Sequence, residues 1–239
     1  MDNSKHIVKA FDKDIGGVEG LLLEMGGMVE AQLSDATTVL LKRDIEFGAK
    51  VRKKDKKINE LEHEIHEKAV RLLALRQPMA DDLRVIVAFM KVAANLERIG
   101  DYAKNIAKRT KVLVETQSVG ASENTLKRMS NLVQAMINDA LDAFIKRDLD
   151  AANDILLRDE EVDLLHNTLF RELLTHMMED PRNITPCMHL LFIAKNIERA
   201  GDHVAGIAQQ IHYLVSGDLP DEKRPKGDKT STMNIKYEG

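Results

Sequence analysis

The sequence predicts an all-α protein built from two tandem, pseudosymmetric three-helix bundles with six long helices. Three observations lead to this prediction. Apolar residues recur at helical spacing along almost the whole chain. No segment alternates cleanly between apolar and polar residues with turn signals on both sides, so no strand is predicted. One pattern of helices occurs twice, which indicates an internal duplication.

The first three helices are predicted at residues 8–43, 45–75 and 80–114. The apolar stripe of the first helix runs through several glycines without a slip, so we interpret these glycines as close helix contacts rather than breaks. The second helix ends before Pro78. The third begins with Asp81 in its first turn, where a negative charge suits the helix dipole.

A polar segment that contains Gly and Ser, residues 115–124, is predicted to link the two halves. Three more helices are predicted at residues 124–145, 149–178 and 184–215. The remaining chain has little apolar content and is predicted to be disordered. The sequence therefore divides into repeat 1 (1–115), repeat 2 (116–216) and a polar tail (217–239).

Composition limits the function classes. The chain has 239 residues, a net charge of -4, 4% aromatic residues and no Trp, which gives no basis for binding nucleic acid. A single cysteine, Cys187, excludes an internal disulfide and a cysteine-based zinc site. No apolar run approaches the roughly 20 residues that span a bilayer. We therefore expect a soluble cytoplasmic protein without direct membrane insertion.

The duplication is clearest in one motif, which reads NLERIGDYAKNIAKR from Asn95 to Arg109 and NIERAGDHVAGIAQQ from Asn196 to Gln210. The preceding helix repeats as well, because KRDIEFGAKVRKKDKKINELEHEI resembles KRDLDAANDILLRDEEVDLLHNTL. The two patterns recur after 101 and 104 residues, a difference that a change in loop length absorbs.

Each copy of the motif places two acidic residues four positions apart, Glu97 with Asp101 and Glu198 with Asp202. Residues four apart lie on one helical face, and in both copies this face continues an apolar stripe. Like charges at such a position are penalised by repulsion and by desolvation. A compensating cation is therefore expected.

The preceding helix of each repeat adds further ligand-type side chains at i, i+4 and i+7. These are Asp55, Asn59 and Glu62 in repeat 1, and Asp159, Asp163 and His166 in repeat 2. Helical bundles build multinuclear metal sites from facing helices that project acids inward. Carboxylate oxygens suit Mg, Ca, Mn and iron, whereas an imidazole favours transition metals.

A structural ion-pair network is the alternative explanation of these acids. Arg98 and Lys104 lie three residues on either side of Asp101, and Arg199 precedes Asp202, so local ion pairs are available. If the acids form only such ion pairs, the protein is a helical scaffold that binds its partners without any metal, and this alternative stays open.

An enzyme of the ferritin-like di-metal oxidase class is the other alternative. Such enzymes need Glu-x-x-His on two helices, and only Glu60 with His63 matches here. The equivalent positions in repeat 2 hold Leu164 and Asn167. We therefore expect that the protein is not an enzyme and has no catalytic residues.

With its doubled ERIGD and ERAGD motifs, its INELEHEI segment and its glycine-rich first helix, the sequence resembles the PhoU family of bacterial phosphate-transport accessory proteins. The resemblance covers nearly the whole chain up to about Val215. It implies a pseudosymmetric helical protein that represses the phosphate-starvation response. The implied partners are the phosphate-specific ABC transporter and a membrane sensor histidine kinase. The long amphipathic helices also leave surface for a homodimer.

The resemblance also implies bound metal, in some members as iron or zinc clusters. The implied ligands are Asp55, Glu97 and Asp101 in repeat 1, and Asp159, Asp163, Glu198 and Asp202 in repeat 2. Asn59 interrupts the acidic pattern of repeat 1, and His166 replaces Glu62 in repeat 2. The metal is therefore left open among Fe, Zn, Mn and Mg, and the two sites are expected to be unequal.

Overall fold

The computed structural model describes residues 3–218 and Thr230, and within these residues the chain is almost entirely helical. The predicted all-α fold with six long helices is confirmed, and the described part contains no strand. The helices are α1 (Asn3–Lys42), α2 (Ile45–Arg76), α3 (Asp81–Leu113), α4 (Ser122–Lys146), α5 (Leu149–Glu179) and α6 (Ile184–Ser216). A short 3₁₀ turn, Pro181–Asn183, precedes α6. The predicted disordered tail lies outside the described residues except for Gly217, Asp218 and Thr230.

The link between the two halves is shorter than the sequence predicts, because α4 begins at Ser122, inside the predicted linker. Three hydrogen bonds fix this segment. The Ser122 hydroxyl donates to the carbonyl of Val119 (2.5 Å). Arg43, at the end of α1, donates to the carbonyl of Thr116 (2.6 Å) and to the carboxylate of Glu123 (3.1 Å). The linker is therefore attached to the turn between α1 and α2.

The repeated KRD sequence forms the tight turn between the first two helices of each repeat. Arg43 and Arg147 adopt left-handed backbone conformations, with φ of 53° and 54°. The following aspartates cap the next helix, because Asp44 accepts from the amide of Phe47 (2.9 Å) and Asp148 from that of Ala151 (3.0 Å). In each copy of the motif the arginine reverses the chain direction and the aspartate caps the next helix. These two structural roles explain why the KRD sequence occurs in both repeats.

The helices pack as two three-helix units, α1–α3 and α4–α6, and the units join through α3 against α6 and α1 against α4. One continuous hydrophobic core runs through both units. Tyr102 and His203 occupy equivalent positions in the two repeats and meet at the α3–α6 contact, with ring centroids 5.6 Å apart. This contact between equivalent residues fits the predicted pseudosymmetry.

The glycines of α1 partly contradict the sequence prediction. The helix does continue through them, as predicted. Only Gly26 lies at a close helix contact, because a Cβ there would meet the side chain of Leu141 on α4 at 2.1 Å. The prediction is wrong for four others, which lie exposed with nothing near a Cβ position: Gly16, Gly17, Gly20 and Gly27. Their place on the outer side of α1 explains the difference.

Over the described residues, no helix combines the length and the apolar composition needed to cross a bilayer.

Candidate acidic sites in the two repeats

The second and third helices of each repeat pack side by side, which brings their acidic faces together. Site 1 lies between α2 and α3 and consists of Asp55, Asn59, Glu62, Glu97 and Asp101. Site 2 lies between α5 and α6 and consists of Asp159, Asp163, His166, Glu198 and Asp202. These are the ten residues that the sequence predicts as metal ligands.

In site 1 the chain supplies its own cation. The ammonium group of Lys104 donates to Asp55 Oδ2 (2.7 Å) on α2 and to Asp101 Oδ1 (2.5 Å) on α3. Burial alone would lower the pKa of Lys104, but the hydrogen bonds to Asp101 and Asp55 raise it above its ordinary value. Lys104 is therefore held charged and forms ion pairs with two of the predicted ligands.

The other residues of site 1 are less enclosed. Asn59 is exposed and Glu62 is half-buried. The side chain of Glu97 is 22% exposed and lies 3.7 Å from Nε of Arg98. Burial, together with the charge of Asp101, raises the pKa of Glu97, and Arg98 opposes this rise. Glu97 therefore lies at the border of the apolar stripe rather than within it.

Site 2 is buried. Four of its residues are at most 4% exposed: Asp159, Asp163, His166 and Glu198. Lys195, one turn earlier on α6, donates to Glu198 Oε1 (2.9 Å). Within residues 3–218 and Thr230, no hydrogen-bond partner reaches the buried Oε2 of the same carboxylate. This oxygen is an unsatisfied polar atom inside the protein.

The buried position of Glu198 changes its protonation. Burial, with smaller contributions from the charges of Asp202 and Asp163, raises its pKa to about 7 against the opposing effect of Lys195. Near neutral pH this carboxyl group therefore carries a proton for a large part of the time. A proton supplies in site 2 part of the neutralisation that an ammonium supplies in site 1.

The glycine between the paired acids lets the helices approach closely in both repeats. A Cβ at Gly201 would lie 2.8 Å from Asp159 Oδ1, so the glycine makes room for this buried carboxylate. At the equivalent Gly100, a Cβ would lie 3.2 Å from Oε1 of Gln32 and 3.3 Å from Cδ1 of Ile58.

Gln32 is a residue that the sequence analysis missed. It is fully buried on α1, and its amide donates to the carbonyl of Val51 (3.4 Å) on α2. It thereby fills the space beside Gly100 that Asp159 fills beside Gly201. The sequence does contain a signal for this residue, because Gln32 is a polar residue within the apolar stripe of α1, between Val29 and Leu33.

The fit of a metal differs between the sites. In the described part of the chain, no group of three or more His, Cys, Asp or Glu side chains is arranged to hold a metal ion. Lys104 occupies the position between Asp55 and Asp101, so site 1 does not fit a metal ion as it stands. Site 2 offers carboxylates, an imidazole and the unsatisfied Glu198 Oε2, a donor set that suits a transition metal once the side chains converge. The metal ligands stay a prediction at both sites.

The oxidase alternative gains no support from the geometry. Glu60 and His63 are both exposed on the outer face of α2. They pair with neighbours on the same helix, Lys56 (3.7 Å) and Glu67 (3.4 Å), rather than facing the acids of α3.

Comparisons with known proteins agree with this architecture. The family model for the PhoU domain matches residues 22–110 and 126–211, one match in each repeat. A protein of Rhizobium meliloti (strain 1021), named phosphate-specific transport system accessory protein PhoU homolog, is 44% identical over 95% of this chain and 96% of its own length. A protein of the same name from Caulobacter vibrioides (strain NA1000 / CB15N) is also 44% identical, over 95% of this chain and 99% of its own.

Two solved structures share the fold. The crystal structure of PhoU from Pseudomonas aeruginosa superposes with a TM-score of 0.84 at 40% identity, covering 87% of this chain and 100% of that one. The phosphate transport system regulatory protein PhoU from Streptococcus pneumoniae gives a TM-score of 0.82 at 32% identity, covering 88% and 99%. With both repeats matched and the fold shared, the chain belongs to the PhoU family.

Proposed function

We propose that this chain is an accessory regulator of phosphate uptake. It represses the phosphate-starvation response by linking the phosphate-specific ABC transporter to a sensor histidine kinase. The observation that carries this proposal is the family match over both repeats, with relatives named as accessory proteins of the phosphate-specific transport system. The role requires binding surfaces rather than a catalytic group, and it places the protein in the cytoplasm beside its membrane partners.

Deletion of the gene tests the regulatory role. In phosphate-rich medium, the deletion strain is expected to express phosphate-responsive genes that the wild type represses, and a plasmid copy is expected to restore repression. Unchanged expression after deletion would contradict the proposal. A pull-down with the transporter and the kinase, each offered separately, tests the two contacts independently.

The proposal includes metal binding at site 2. Asp159, Asp163, His166 and Glu198 would hold the ion, which would neutralise the buried carboxylates and fasten α5 to α6. The burial of all four residues and the unsatisfied Glu198 Oε2 support this assignment. Iron, zinc, manganese and magnesium are the candidates, with the imidazole favouring a transition metal. Site 1 would take a metal only if Lys104 moved out.

Elemental analysis of the purified protein tests the metal. We expect metal in the wild type and in a variant of site 1 (Glu97→Ala/Asp101→Ala), and its loss in a variant of site 2 (Glu198→Ala/Asp202→Ala). A preparation that stays metal-free and gains no thermal stability with Mn, Zn, Mg or Fe would contradict this part of the proposal. Full partner binding by a metal-free protein would then favour the plain scaffold. Sedimentation analysis tests the predicted homodimer.

A further inference from the structure

A pocket of about 330 Å³ lies between α3 and α6, on a surface that the acidic sites do not use. We name it the cationic pocket. Its lining residues are Asn105, Lys108, Arg109 and Val112 of α3 with His189 and Asn196 of α6. Its volume falls within the range of small-molecule sites. Three of the six residues are basic, two are amides and none is acidic.

The charges of this pocket are not compensated. Within residues 3–218 and Thr230, neither Lys108 nor Arg109 forms an ion pair, although the protein pairs many of its other cations. Arg109 instead lies over the ring of Phe192, with its guanidinium carbon 4.1 Å from the ring centroid. A cation–π contact orients the guanidinium and leaves its N–H groups free to donate.

The imidazole of His189 adds an unsatisfied polar atom. Its Nδ1 is buried, and no hydrogen-bond partner reaches it in the part of the chain that the structure describes. Burial, aided by the charge of Arg109, lowers the pKa of His189, so the imidazole is neutral when the pocket is empty. An anion placed beside it would offset the positive charge of Arg109.

The positive surface extends beyond this pocket. A second depression of about 230 Å³ is bordered by Arg52 of α2 with Lys108 and Lys111 of α3, so Lys108 is common to both. In the described residues, Arg52 and Lys111 also form no ion pair. Clustered like charges repel one another, and an oxyanion bound among them would relieve this repulsion.

The duplication provides an internal reference. The positions of repeat 2 and α3 that are equivalent to the pocket lining carry no charge: Gly206, Gln209, Gln210, Tyr213, Ala88 and Asn95. Lys91 lies beside this position, with its ammonium 5.5 Å from the Tyr213 ring centroid. Neutral residues therefore serve the same helix contact, and packing of α3 on α6 does not require the cations.

We propose that the cationic pocket binds a phosphate oxyanion, either inorganic phosphate or the phosphate group of a small ester. Arg109 and Lys108 supply positive charge and N–H donors, and the Asn105 amide supplies a neutral donor. Charge-assisted hydrogen bonds from a guanidinium suit the geometry of phosphate. Asn196 lies at the rim, where its amide donates to the carbonyl of Phe192 (2.6 Å). The proposed regulatory role requires contacts with partner proteins only, whereas this site would bind phosphate on the isolated chain.

Titration calorimetry of the purified full chain with sodium phosphate at constant ionic strength tests the proposal. We expect saturable binding by the wild type, and binding at least about tenfold weaker in the variant Lys108→Gln/Arg109→Gln. The matched control is Lys53→Gln/Lys57→Gln, which removes two exposed cations from α2 and is expected to bind like the wild type. A parallel titration with adenosine monophosphate distinguishes the two ligand sources. Tighter binding of inorganic phosphate identifies the free ion as the ligand, and tighter binding of adenosine monophosphate identifies a phosphate ester.

Several outcomes overturn the proposal: no saturable binding by the wild type, or equal binding by a double variant whose melting temperature matches the wild type. Loss of transporter or kinase capture in the double variant, without any phosphate binding by the wild type, would also overturn it and assign the cations to a protein contact. The regulatory role is tested separately by the gene deletion, so the two proposals fail independently.

Discussion

Sites 1 and 2 descend from one duplicated helix pair, yet they neutralise their acids differently. In site 1, Lys104 reaches across from α3 to Asp55 on α2 and also binds Asp101. Its equivalent in site 2 is Ala205, and the nearest ammonium instead comes from Lys195, whose equivalent in repeat 1 is Ala94. Three carboxylate positions are the same in both copies (Asp55 and Asp159, Glu97 and Glu198, Asp101 and Asp202), whereas the counterion has changed its position.

The consequence of this difference is electrostatic. In site 1 the ammonium of Lys104 lies between two carboxylates and offsets part of their negative charge. Lys195 reaches one oxygen of Glu198, and burial raises the pKa of this carboxyl group to about 7. Site 2 therefore retains a group that titrates near neutral pH, whereas Asp55 and Asp101 of site 1 share a fixed ammonium partner. A metal ion would compete with a proton in site 2 and with a lysine in site 1.

Replacing each lysine tests this comparison most directly. Lys104→Met is expected to lower the free energy of unfolding by about 2–3 kcal/mol, because it leaves the buried Asp55 without its cation. Lys195→Met is expected to cost about 1 kcal/mol or less at pH 6, because Glu198 takes up a proton instead. Urea unfolding at pH 6 in the presence of a chelator measures both. Equal losses for the two variants would contradict the difference that we infer.

Titration of Glu198 is expected to give the next largest effect. Its folded pKa of about 7 lies above its ordinary value of 4.5, so the folded state holds a proton that the unfolded chain releases. The contribution of this group to stability therefore falls as pH rises from about 4.5 to 7 and is constant above that range.

A comparison of the wild type with Glu198→Gln isolates this effect. The stability of the wild type relative to the variant is expected to fall by about 2–3 kcal/mol between pH 4.5 and 8. The matched variant at site 1, Glu97→Gln, is expected to show the same direction with a smaller amplitude, because Glu97 is more exposed. Unfolding curves at four pH values measure both differences. A difference that does not change with pH would refute the assignment for Glu198.

The two glycines provide a third test. Gly201→Ala is expected to destabilise the protein by about 1–2 kcal/mol, because a Cβ 2.8 Å from Asp159 Oδ1 forces a buried carboxylate to move. Gly100→Ala is expected to leave the stability nearly unchanged. The Gln32 and Ile58 side chains can shift slightly, and the energetic cost of this shift is offset by the gain in helix propensity of about 1 kcal/mol. Thermal unfolding distinguishes the variants, and the reverse order would contradict the geometry.

The helix caps give the smallest expected effect and serve as the symmetric reference. Asp44→Ala and Asp148→Ala each remove one hydrogen bond to a backbone amide at the start of α2 or α5. We expect losses of about 1 kcal/mol that are equal within about 0.5 kcal/mol. Clearly unequal losses would mean that the two repeats differ in more than their acidic sites.

The sequence alone determined the six helices, the duplication and the positions of the acids on their helical faces. These features are local, because helical spacing fixes the angle between residues on one helix. The KRD turns also belong to this group, since a reversing residue and a capping aspartate act on their own backbone. The family resemblance also depends on the sequence alone, because it is based on motifs that occur twice in the chain.

Tertiary structure alone decided which residues meet across helices. Helical periodicity does not determine how far a helix rotates against its neighbour, so the bridge from Lys104 to Asp55 could not be read from spacing. The same rotation leaves Gly16 and Gly17 in the open while Gly26 contacts Leu141. It also buries Glu198 more deeply than Glu97, although both occupy the same position of one motif. Packing thereby gave two copies of one acidic pair different electrostatic environments, because the energy of a buried charge depends on neighbours from other helices.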